Sequence, residues 1–199
     1  MMNAKTSAKK TVSVRKMTTI AVLSAISIML SMIPMVGYIQ IGPTSATIMH
    51  IPVIIGAIIE GPIVGAAVGF IFGVSSLLKA INVPTVTSFA FINPLVSILP
   101  RVMIGILAYY VYELVMKLSN RVHISGLITG AVASLINTAG VLGMIYILYG
   151  AKFAEANEAS ASMAGTFIFT LGATNGIPEA IVGALVVSAV TVALKKRKK

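Results

Sequence analysis

Few residues of this chain are equipped for chemistry, and they sit inside apolar runs. Arg101 lies about two turns into a hydrophobic segment. A guanidinium at membrane depth costs roughly 2.5–3.5 kcal/mol, so it must face a cavity or a partner. Its planar fork suits a carboxylate, which points to a counter-charge for an anionic solute. The competing role is an internal ion pair with Glu179, the acid at matching depth; Glu113 is about three turns away on Arg101's own segment. Asn137, Asn175 and Asn93 are amides at compatible depth, each needing hydrogen-bond partners when buried. With Arg101 they outline a polar pocket that Gln40, Thr44 and Ser45 on one side, and Thr85, Thr87 and Ser88 on the other, are placed to cover. His50 either packs against backbone or joins the same site.

Other chemistries lack their residues. No G-x-x-x-x-G-K-[ST], H-E-x-x-H or G-x-S-x-G is present, and no carboxylate pair sits at depth, so neither nucleotide hydrolysis by that route nor hydrolase catalysis is expected. Cysteine is absent, which removes disulfides and thiolate metal sites. No catalytic residue, metal site or cofactor is expected.

The elements that must position these residues are hydrophobic helices. With 57% hydrophobic and 10% charged residues, the chain has too little polar surface for water, where a soluble domain carries about 25% charged residues. Lipid must be its solvent. Segments are expected at about 17–33, 47–59, 61–78, 94–116, 124–149 and 165–194. Glu60-Gly61-Pro62 makes a sharp turn, Lys79 to Phe91 an ordered loop, and Pro94 a helix start. The expected fold is an all-α integral membrane protein, six transmembrane helices in one bundle.

The net charge of +10 orients that bundle. Lys5, Lys9, Lys10, Arg15 and Lys16 precede the first segment, and Lys195 to Lys199 end the chain. Six spans place both ends and the Lys117–Arg121 loop on the cytoplasmic side, leaving only Lys79 and Lys152 outside and Arg101 within a span. Five or seven spans would expose one basic tail outside. The expected organisation is a basic cytoplasmic segment at 1–16, a membrane domain at 17–194 and a basic tail at 195–199. The basic start resembles a signal peptide, with Thr44-Ser45-Ala46 as a small-residue site, but the first helix is expected to be retained because the stretch is long for a cleavable signal. Nucleic acid is not an expected partner, since no basic face with interleaved aromatics is visible; membrane lipid is.

Two patterns of small residues bear on packing. Gly61, Gly65, Gly69 and Gly73 recur every four residues, a spacing that lets another helix approach closely, and are expected to pack within the bundle. Ala21 and Ala25 share a helix face with Thr18 and Ser24 nearby; that face either packs inside or docks another membrane protein.

The run Arg15-Lys16-Met17-Thr18-Thr19-Ile20 leading into Ala21 and Ala25 resembles the first helix of the substrate-binding S components of energy-coupling factor (ECF) vitamin transporters. The Glu60-Gly61-Pro62-Ile63-Val64-Gly65 turn and the stretch from Asn93-Pro94 to Pro100-Arg101 are similar as well. The resemblance implies a non-enzymatic transport subunit in a bacterial cell membrane that binds its vitamin from outside. It also implies a transmembrane T subunit docked on Ala21 and Ala25, and two cytoplasmic ATPases. Arg101, Asn137 and Asn175 become pocket residues. Flat heterocycles are usually held by aromatic stacking, and this chain has no Trp and scattered Phe and Tyr. A small flexible anion with hydroxyl and amide groups fits better, and the sequence most resembles the pantothenate-specific members. S components for biotin, lipoate or pyridoxine-type ligands stay open. Outside that resemblance stand a stand-alone ion-coupled carrier built on Glu179 and Arg101, and a scaffold that binds no solute.

Overall fold

The computed structural model describes residues 13–33, 37–41 and 44–196; most of the basic 1–16 segment and the end of the 195–199 tail lie outside them. The helices are α1 (Val14–Met32), α2 (Ile51–Glu60), α3 (Pro62–Asn82), α4 (Ser88–Phe91), α5 (Pro94–Ser97), α6 (Leu99–Ser119), α7 (Val122–Ala156) and α8 (Ala164–Lys196). Five stretches are long and apolar enough to cross a membrane: α1, α3, α5 with α6, α7, and α8 with the short turn before it.

The second expected segment is different in kind. Only Ile51–Glu60 is helical, with eight of its ten residues buried. Ten residues rise roughly 15 Å, half the hydrocarbon thickness. The chain before it forms an antiparallel hairpin of β1 (Tyr38–Ile41) and β2 (Thr44–Thr47), pairing Tyr38 with Thr47 and Gln40 with Ser45. A loop was expected here. Hairpin and α2 together return the chain to the end where α1 starts, since Arg15 Nε donates to Glu60 Oε1 at 2.8 Å.

The expected loop at Lys79 to Phe91 is also shorter: α3 continues to Asn82, and α4 takes up Ser88–Phe91. α7 and α8 run past the expected limits; at 35 residues, α7 is roughly 50 Å long.

Glycine sets the helix contacts. A Cβ on Gly65 would strike the backbone of Gly105, one on Gly69 the Arg101 carbonyl, and one on Gly73 would lie 2.7 Å from Ile98 Cα. The backbones of α3 and α6 therefore touch, which supplies dispersion contact where lipid offers no hydrophobic drive. Gly130 against Gly183 does the same for α7 and α8. Gly61 does not belong to that row. It has φ +98° and open space around its Cβ direction, so it is the turn residue between α2 and α3.

α1 is built inside out relative to a helix in water. Ser24, Ser27 and Ser31 are buried, whereas Val14, Met17, Ala21, Val22, Ala25 and Met29 are exposed. Ser24 therefore turns into the bundle, away from the Ala21–Ala25 face on which Thr18 lies.

Candidate functional site

A break between α5 and α6 creates the setting of Arg101. Pro100 has no N–H, so the Val96 carbonyl four residues earlier loses its helical donor. Arg101 Nη1 donates to that carbonyl at 2.5 Å, and its guanidinium lies 5.7 Å from the Phe72 ring centroid and 5.8 Å from that of Phe91. The arginine is buried at the first turn of α6, held by the carbonyl the proline freed and by two aromatic faces.

It opens on a cavity of about 410 Å³ whose wall includes Arg101, Lys79, Glu179, His50, Asn137 and Asn175. That volume suits a small solute. Thr47, Thr85, Thr87, Ser88 and Thr138 supply hydroxyl groups, and Met49, Phe72, Phe91, Val141 and Leu142 the apolar surface. The charged side chains of the wall are two cations and one carboxylate. Lys79 Nζ donates to the Ser31 carbonyl of α1 at 2.5 Å, which fixes the end of α3 over the site.

Glu179 anchors the hairpin. Its Oε1 accepts from Thr47 N at 3.1 Å and Thr47 Oγ1 at 2.5 Å, and its Oε2 from Thr138 Oγ1 at 2.5 Å. One carboxylate thus joins β2, α7 and α8. Glu179→Ala strands the two Thr47 donors at about 1–3 kcal/mol each when buried, at roughly 2–4 °C per kcal/mol, while Thr138 Oγ1 keeps the Ser134 carbonyl at 3.2 Å. The expected result is a thermal unfolding midpoint in detergent lowered by about 5 °C or more. Glu179→Gln, which retains a carbonyl acceptor, is expected to lose about half as much. An unchanged midpoint for Glu179→Ala would show that other contacts hold the hairpin.

Of the residues singled out in the sequence, Arg101, Asn137, Asn175, Glu179 and His50 meet at this cavity, with Thr85, Thr87 and Ser88. Asn93 does not. It caps α5, its Oδ1 accepting from Leu95 N at 3.0 Å and its Nδ2 donating to Tyr149 Oη at 3.0 Å. An asparagine before a proline is a helix N-cap signal, and that role explains it. The side chains of Gln40, Thr44 and Ser45 lie outside the described residues. Sequence reasoning missed Lys79, Thr47, Thr138 and Ser31. Lys79 falls in the stretch expected as a loop, and one further turn of the apolar run of α3 carries it to the site. Among the described residues no group of three or more His, Cys, Asp or Glu could hold a metal.

Apolar helices enclosing a polar, charge-lined cavity define a multi-pass membrane protein with room for a small solute in its helical core. The chain belongs to the family described as ECF transporter, substrate-specific component, whose model matches residues 15–191. It is therefore a transport component. It is 31% identical over 173 residues to the pantothenic acid transporter PanT of Lactococcus lactis subsp. cremoris, covering 78% of this chain and 81% of that protein. It is 32% identical over 125 residues to the pantothenate transporter PanT of Leuconostoc mesenteroides subsp. mesenteroides, covering 59% of this chain and 61% of that one.

Proposed function

We propose that this chain captures pantothenate in the cavity around Arg101 and delivers it into the cell as part of an ECF module with a T subunit and two ATPases. The observation that carries the substrate is the wall itself, two cations against one carboxylate among hydroxyls and amides. A monoanion completes that charge. The aromatic rings on the wall, Phe72 and Phe91, are both engaged with Arg101, which leaves no platform for a flat heterocycle. The names of the two relatives agree with this reading. Arg101 and Lys79 hold the carboxylate; Asn137, Asn175, His50 and Glu179 serve the polar remainder. Gln40 is a further candidate by its place on the hairpin.

In this reading the bundle crosses the bacterial plasma membrane six times, with both termini cytoplasmic. The fold residues 17–194 form the membrane domain, and residues 1–16 and 195–199 are basic cytoplasmic ends. The Arg15–Glu60 ion pair supports the return of the chain through hairpin and α2, and the basic ends support the orientation. Purified protein is expected to bind pantothenate saturably, with a rise in thermal stability that follows ligand concentration. Absence of saturable binding, or tighter binding of biotin, lipoate or pyridoxine, would overturn the substrate assignment.

A further inference from the structure

Two buried acceptor atoms, on residues that line the cavity, have no hydrogen-bond partner among the described residues: His50 Nδ1 and Asn137 Oδ1. His50 is about 1% exposed and Asn137 about 8%. An unmade hydrogen bond at such a position costs about 1–3 kcal/mol, so each acceptor favours a solute that brings a donor.

The chemistry of His50 follows from its neighbour. Ser134 Oγ has one proton, and it donates to the Gly130 carbonyl at 2.8 Å. That carbonyl cannot donate in return, so the proton is committed. The 2.8 Å contact between Ser134 Oγ and His50 Nε2 therefore requires Nε2 to be the donor. Nδ1 of the neutral ring is then a bare lone pair. A second proton there would bury a charge with no acceptor against it. Asn137 Oδ1 is likewise an acceptor only. The wall around α2 and α7 thus demands donors, and the cations Arg101 and Lys79 elsewhere on it demand an anion.

We infer that His50 Nδ1 and Asn137 Oδ1 accept hydrogen bonds from hydroxyl groups of the solute, and that they select a hydroxylated acid over an anion of similar size without such donors. This rests on the reading of the cavity as the solute site and adds which end of the solute confers specificity. Pantothenate carries two hydroxyls and an amide N–H beside its carboxylate. Lipoate carries no donor and would leave both acceptors stranded.

Pantothenate, its two mono-deoxy analogues and lipoate are titrated against the purified full chain. In the wild type, at least one deoxy analogue is expected to bind roughly 10- to 100-fold more weakly than pantothenate, with lipoate weaker still. His50→Gln places an amide nitrogen where Nε2 donates to Ser134 and supplies nothing at Nδ1. It is expected to fold and to bind pantothenate and that deoxy analogue within about twofold of each other. His50→Asn, whose amide oxygen occupies the Nδ1 position, is expected to restore part of the discrimination. A residue that only packs would weaken all ligands alike. Wild-type protein that binds pantothenate and both deoxy analogues within twofold overturns the inference and leaves the substrate assignment standing. Failure to bind pantothenate at all overturns both. If His50→Gln does not fold, the wild-type comparison decides.

Discussion

Arg101→Ala is expected to weaken pantothenate binding by about 100-fold. The estimate comes from removing one partner of a desolvated charge pair, which costs about 2–5 kcal/mol. Arg101 is suited to that role by its burial and by its fixed geometry. The Val96 carbonyl and the Phe72 and Phe91 rings hold the guanidinium before any ligand arrives, so little rotamer entropy remains to be lost on binding. Arg101→Lys keeps the charge but not the fork, and a point charge cannot satisfy both the Val96 carbonyl and a bidentate carboxylate. It is expected to fall between wild type and alanine. The control is the alcohol analogue in which the carboxylate of pantothenate is reduced. Wild type should discriminate strongly against it, and Arg101→Ala should discriminate little. Equal losses for acid and alcohol would mean that Arg101 only supports the α5–α6 break and that the anion sits elsewhere.

The parts of the fold that could be read from sequence are those governed by composition and by backbone chemistry. Apolar length located five of the helices, because in lipid every backbone polar group must be satisfied within its own segment. The Glu60-Gly61-Pro62 turn was legible because few residues besides glycine adopt φ +98°. The row Gly65, Gly69, Gly73 declared a close helix neighbour, but spacing cannot name it. α6 is the helix that fills it, and the backbone facing Gly69 is that of Arg101. The row therefore sets the depth of the arginine as well as gluing two helices.

The hairpin and the helical limits of α2 escape a hydropathy reading for a common reason. A hydropathy window averages over Ile48 to Ile59 and reports a span, although Gly42-Pro43 between Tyr-Ile-Gln-Ile and Thr-Ser-Ala-Thr is a turn signal between two short runs. Half of that return path is helix too short to cross alone. The candidate site was legible in Arg101, Glu179 and the hydroxyls of Thr85, Thr87 and Ser88, and illegible in Lys79, Thr47 and Thr138. A lone arginine in an apolar run demands explanation, whereas Thr47, Thr138 and Ser31 look like ordinary residues that bond their own helix or turn. What brings Thr47 and Thr138 together is a carboxylate on α8 reaching β2 and α7 at once, and Ser31 enters through its carbonyl, which accepts from Lys79 Nζ. No spacing rule within one helix encodes that.

Ala21→Trp is expected to abolish co-purification with the T subunit while leaving pantothenate affinity within about twofold. α1 has the smallest buried share of the long helices, and its polar serines face inward, so what it shows outward is free of bundle duties. Ala21 and Ala25 lie one turn apart on that exposed surface, with Thr18 beside them. Against lipid tails alanine has no advantage over leucine. Against another helix it does, because small residues let two backbones approach closely enough for dispersion and weak hydrogen bonds to hold them. An indole at position 21 would keep the helices apart along the whole contact, an effect that neighbours cannot relieve by a rotamer change. The Arg101 cavity is walled by other residues, which is why binding should survive. Leu114→Trp, on the exposed surface of α6, serves as the control and should assemble normally. If Ala21→Trp co-purifies as wild type does, the T subunit docks on another face, and the outward alanines of α1 meet only lipid.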